Sequence, residues 1–168
     1  IQGALPSIRH VLDKGGSLVL MSHLGRPKGK GYEADFSLKP VADYLAKTLG
    51  RPVAFAPDCL AAKAQADALK PGDVLMLENT RFYAAEEGKV KKTDDMSEEV
   101  YKEKKAALKE KQKAMAKTLA AYGDVYCNDA FGSAHRAHAS TAVVCTYMKT
   151  NVAGFLMEKE IEYLGGAV

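Results

Sequence analysis

The four residues Val74–Leu77, VLML, are apolar without a break, and too few to make a helix. The turn residues Lys70, Pro71, Gly72 and Asp73 precede them and Glu78, Asn79 and Thr80 follow, so the run reads as a short strand covered on both faces. That kind of strand belongs to a parallel sheet, whose neighbours must be joined by crossover helices. The flanking sequence supplies them. Residues 4–14 carry Leu5, Ile8, Val11 and Leu12 at helical spacing and end at Gly15 and Gly16, and "SLVLM" follows as a strand. Residues 38–49 repeat the helical spacing up to Gly50, before the strand "PVAFAP". A third helix is expected over residues 59–69, a long charged one over 96–122, and a strand in "GDVYC". Beyond that, "TAVVC" reads as a further short strand and residues 153–164 as a helix. Strict alternation of this kind predicts a three-layer α/β/α architecture, an open doubly wound (Rossmann-like) parallel sheet.

Composition sets the remaining bounds. With 168 residues, 47% hydrophobic and 27% charged, the chain can build one ordinary core and is not disordered in character. The net charge of +3 comes mostly from the Lys-rich stretch 88–119, where Glu and Asp are interleaved and aromatics are sparse. That pattern fits a solvated helix face better than a nucleic-acid or membrane patch. Cys59, Cys127 and Cys145 are odd in number and widely spaced, which suits reduced, buried thiols and neither a disulfide framework nor a metal site. No apolar run approaches the ~20 residues of a membrane span. A cytoplasmic protein is expected. The sequence starts with Ile1 in mid-pattern, so further residues are expected upstream.

Basic residues gather where the strands end. "SLVLM" runs into His23, Gly25, Arg26 and Pro27; "VLML" runs into Arg81; the strand in "GDVYC" runs into Gly132, His135, Arg136 and His138. In an open parallel sheet the C-terminal strand ends share one edge, so these groups can converge on one ligand. Guanidinium forks match phosphate and carboxylate oxygens, and clustered arginines need an anion among them, so the ligand implied is a small polyanion. Gly25 and Gly132 allow close approach of the backbone. His10, on a helix, reads as a surface residue, and His138 fits local packing as readily as a direct role. Periodicity and topology lead to an α/β domain with an anion site and stop there.

At the same places the chain resembles the phosphoglycerate kinase family. "MSHLGRPKG", "LENTRFYAAEEG", "GDVYCNDAFGSAHRAHAST" and "AGFLMEKEIEYL" are similar to signatures of that family's N-terminal domain, in order and over nearly the whole chain. The resemblance implies reversible phosphoryl transfer between 1,3-bisphosphoglycerate with MgADP and 3-phosphoglycerate with MgATP, by a monomer. Position by position it implies that the segment His23, Leu24, Gly25 and Arg26, with Arg81 and Arg136, holds the 3-phosphoglycerate end, with His135 beside that set. It further implies that residues 1–152 form the substrate-binding domain without its first strand, which carries Asp-x-Asn, and that residues 153–168 begin the interdomain helix. A catalytic arginine just upstream and the C-terminal nucleotide domain, with its Mg2+ and ATP or ADP, are expected to lie outside this sequence. The chain alone is then expected to be inactive, with no metal ligands of its own. Two other readings stay open: a noncatalytic module for an anionic metabolite, and a nucleic-acid binder built on the Lys-rich helix.

Overall fold

The structure is a computed structural model that describes residues 2–129 and 136–156. Its centre is β3 (Val74–Leu77), which pairs in parallel with β1 (Leu18–Leu20) on one side and β2 (Val53–Ala56) on the other. In register, Leu18 and Val53 both stand beside Val74, and Leu20 and Phe55 beside Met76. Because side chains alternate across a strand, β3 feeds two cores. Val74 and Met76 pack with Ile8 and Leu12 of α1 (Leu5–Asp13) and with Ala42 and Leu45 of α2 (Lys39–Leu49). Leu75 and Leu77 pack on the opposite face with Ala66 of α3 (Lys63–Asp67) and Met115, Ala116 and Leu119 of α5 (Glu98–Ala120). All four β3 residues are buried, as an uninterrupted apolar strand between two helical layers requires. The three-layer α/β/α arrangement expected from the alternation is the one found.

A second parallel pair, β4 (Val125–Asn128) with β5 (Thr150–Ala153), is not hydrogen-bonded to the first sheet among the described residues. It is held through side chains. Tyr126 joins the α5 core, its hydroxyl donating to the Ser140 carbonyl at 2.8 Å, and the 3₁₀ turn Val143–Tyr147 buries Val144 in the same cluster. Near the start of the chain, the Phe155 N–H donates to Ser7 Oγ at 2.9 Å, and His10 meets the Phe155 ring edge-on at 5.1 Å between centroids.

The long helix α5 starts at an N-cap, where Ser97 Oγ accepts from the Val100 N–H with Glu98 and Glu99 in the first turn. Its buried residues, Gln112, Met115, Ala116 and Leu119, all lie in its C-terminal half, so the Lys-rich N-terminal half is a solvated face. No described helix is long and apolar enough to cross a membrane.

Several expectations need correction. The helix expected over 59–69 shrinks to Lys63–Asp67, because Asp58 Oδ1 accepts the Leu60 N–H at 2.9 Å and makes a turn of the preceding residues. "TAVVC" is no strand: its backbone folds onto the His138 and Ala139 carbonyls and enters the 3₁₀ turn Val143–Tyr147. Ala153 ends a strand and does not begin a helix; most of the helix expected over 153–164 lies outside the described residues, as does Gly132. Of the cysteines only Cys59 is buried; Cys145 is partly buried and Cys127 exposed, since β4 turns alternate residues outward. All three thiols are free, and burial pushes that of Cys59 up to about 12.

Candidate anion site at the strand ends

Immediately after β3 the chain makes the 3₁₀ turn Thr80–Phe82, capped by Asn79, whose side chain accepts from the Arg81 N–H at 3.0 Å. This turn delivers Arg81 into the interior, where it is 9% exposed. Its Nη1 donates to the Gly25 carbonyl at 3.0 Å, and its Nε, buried and without a hydrogen-bond partner among the described residues, faces Glu87 Oε1 at 3.9 Å. A buried guanidinium with an unmet donor is costly unless an anion completes its shell.

The segment after β1 lies against that turn. Thr80 N and Oγ1 both donate to the Ser22 carbonyl, at 3.2 and 3.3 Å. Gly25 is left-handed (φ 65°), and a Cβ there would overlap the Phe36 ring, so only glycine fits where Arg81 grips the backbone. His23, Leu24 and Arg26 flank this point on an exposed stretch. Beyond it the chain stays close, with the Gly31 N–H donating to the Phe82 carbonyl at 2.9 Å.

The segment after β4 is brought back by α4 (Ala84–Glu87) and α5. Glu86 is 1% exposed; its carbonyl accepts from the Ala139 N–H at 2.8 Å, and its Oε1 from the Ser140 N–H at 2.8 Å. Gln112 Nε2 bridges the Glu86 and Ala137 carbonyls at 3.3 and 3.0 Å. Arg136 is exposed beside these anchored residues, its carbonyl taking the Thr141 hydroxyl at 2.8 Å, and His138 is buried. His135 lies outside the described residues.

Electrostatics show the three segments to be neighbours. The His23 pKa is lowered, first by desolvation and then by the field of Arg81, with His138 and Arg136 adding smaller effects and Glu86 opposing them. The His138 pKa is lowered chiefly by desolvation, with Arg81 and Arg136 adding to this and Glu86 and Glu87 opposing it. The fields of Arg81 and Arg136 thus reach both His23 and His138, opposed by that of the buried Glu86 carboxylate. Arginine guanidiniums hold anions, and among the described residues no group of His, Cys, Asp and Glu is arranged to hold a metal ion. A separate cavity of about 230 Å3, lined by Tyr32, Asp58, Cys59, Glu78 and Tyr83 among others, contains none of the expected site residues, and its acidic lining disfavours an anion. Glu78, Asn79, Glu86 and Gln112 were not singled out in the sequence; Glu78 and Asn79 were hinted at by their place at a strand end and Glu86 by its nearness to Arg81, whereas Gln112, inside α5, gave no hint.

The fold is an open α/β domain, with the buried Arg81 at the C-terminal end of its central strand. A profile of the family described as "Phosphoglycerate kinase" matches residues 1–168, and the chain belongs to that family. It is 51% identical over 169 residues to the phosphoglycerate kinase of Chloroherpeton thalassium, covering 99% of this chain and 37% of the relative. Cytosolic and glycosomal phosphoglycerate kinases of Crithidia fasciculata are each 49% identical over 175 residues. The solved structure of phosphoglycerate kinase from Coxiella burnetii superposes with a TM-score of 0.76 at 34% identity, covering 98% of this chain and 36% of that one. The chain thus spans a little over a third of the length of the relatives it matches.

Proposed function

We propose that this chain supplies the 3-phosphoglycerate-binding half of a phosphoglycerate kinase, which moves a phosphoryl group reversibly between 1,3-bisphosphoglycerate and ADP. The observation that carries the reading is the buried Arg81, which has an unmet Nε and whose field, with that of Arg136, reaches His23 and His138. A phosphorylated sugar acid offers the phosphate and carboxylate oxygens that such a set needs. Arg81 and Arg136 take the remote 3-phosphate; Arg26 and His23, with Leu24 and Gly25 setting their backbone, lie nearer the reacting carboxylate. His135 is a weaker member of the set.

Phosphoryl transfer asks a protein chiefly to align donor with acceptor and to surround the moving oxygens with positive charge. These side chains do the first for the acceptor and contribute to the second. The magnesium nucleotide is the co-substrate implied by the family, and a second domain, as the resemblance implies, would present it. Residues 1–152 are then the substrate domain of a monomer, working in the cytoplasm. Alanine at Arg26 or Arg136 of the full-length protein should weaken 3-phosphoglycerate binding by about 1.5–3 kcal/mol, the range for hydrogen bonds to charged groups. Calorimetric titration checks this, and unchanged affinity in folded variants refutes the assignment.

A further inference from the structure

We propose that Asn79 is a positioning residue: its side-chain amide fixes residues 23–26 relative to Arg81 and thereby sets the affinity for the anionic substrate. The inference rests on the reading of the basic site under Proposed function.

A fully buried primary amide must have both of its N–H donors and its carbonyl met. Asn79 is 0% exposed and meets them on three separate stretches of chain. Nδ2 donates to the Leu24 and Phe36 carbonyls, each at 2.9 Å, and Oδ1 accepts from the Arg81 N–H at 3.0 Å. The contacts form a closed circuit. Asn79 holds the Arg81 backbone through Oδ1 and the Leu24 carbonyl through Nδ2, while the Arg81 guanidinium returns to the Gly25 carbonyl, one peptide further on. The basic side chains on either side of that peptide, His23 and Arg26, are therefore indexed to Arg81 by a single amide. Next to it, Glu78 accepts from the Leu38 N–H and the Ser37 hydroxyl, both at 2.7 Å, so the stretch that carries Phe36 is itself anchored to the end of β3.

Capping alone does not require this residue. Serine, threonine or aspartate could accept the Arg81 N–H equally well at the start of the turn. Only an amide also offers two donors to two carbonyls, and those two bonds reach the substrate segment. A misplacement of an ångström in a binding group is felt in substrate affinity without any contact being lost to the substrate itself.

The test uses the full-length protein and the variant Asn79→Ser, which keeps an oxygen for the Arg81 N–H and loses both carbonyl ties. The expected result is a KM for 3-phosphoglycerate raised by roughly tenfold, with KM for ATP unchanged and kcat within about threefold. A residue that merely supports the fold would instead lower the melting temperature and the active fraction and leave both KM values alone; that result overturns the proposal. If Asn79→Ser does not fold, Asn79→Thr is read by the same measurements. Because Asn79 acts through residues 23–26, its effect should shrink in an Arg26→Ala background. If Arg26→Ala raises KM but Asn79→Ser does not, or adds to it in full, the proposal fails alone. If Arg26→Ala has no effect, the reading of the site fails and the proposal with it.

Discussion

Gly25 is where local geometry and charge meet most tightly. Its left-handed φ and its contact with Phe36 leave no room for a side chain, and its carbonyl is the anchor of Arg81 Nη1. Gly25→Ala should cost about 1–3 kcal/mol through backbone strain and overpacking, measured by urea unfolding, and should raise KM for 3-phosphoglycerate because the ring or the loop must shift. The histidines make a second prediction. Desolvation and neighbouring arginines lower the pKa of both His23 and His138 below 6.5, so both are neutral at pH 7. A folded-state pKa that is depressed gives stability that is full above 6.5 and lost as pH falls through the depressed values. An anion in the pocket opposes that shift by favouring the imidazolium, so its binding takes up protons. Sulfate does not titrate in this range, and near pH 6 its heat of binding should change between buffers of different ionisation enthalpy in the sense of proton uptake. Buffer-independent heats would contradict this. The basic residues were legible at this scale because chemistry is written in residue type. Asn79 and Glu86 were not, because a polar residue after a strand looks like turn punctuation, and one in a short helix like a surface charge, until partners some 40 to 55 residues away are seen.

Among the elements, β3 was the most legible, and its bounds coincide with the apolar run that announced it. Its burial is also its contribution. Leu77 is 0% exposed in the core shared with α5, and Leu77→Ala should cost about 2–5 kcal/mol in a denaturant titration. A loss under 1 kcal/mol, on the order of a surface change, would mean the core on that face is not closed. The elements that the sequence misjudged share a cause. Residues 59–69 have helix formers throughout, yet the Asp58 side chain takes a backbone N–H and delays the helix to Lys63. Thr141, Val143 and Val144 are β-branched, yet among the described residues no strand pairs with them, and the carbonyls of His138 and Ala139 draw this stretch into a 3₁₀ turn. Propensity decides only where tertiary partners leave the choice open.

At the scale of the whole molecule, what matters is that among the described residues both parallel sheets end in strands paired on one side only. Among the described residues β1 has one partner, β3, and β4 has one, β5, while Val125 and Val152 are exposed on the second pair. Open edges with apolar surface favour association. The 168-residue polypeptide expressed alone should therefore aggregate or melt without a cooperative transition, as read by size-exclusion chromatography and calorimetry. A monomer with one sharp transition would contradict that. The sheet layers were legible because alternation is periodic. The partner of β4, which among the described residues is β5, was not, because strand order depends on contacts that no local pattern encodes.

The central claim is that side chains from separate strand ends close on one small anion, and a crystal structure of the full-length protein with 3-phosphoglycerate tests it most directly. The account predicts the ligand between Arg81 and Arg136, with Arg81 Nε donating to one of its oxygens and Arg26 within reach of the other end. A ligand bound elsewhere, with Arg81 Nε still turned to Glu87, would contradict it.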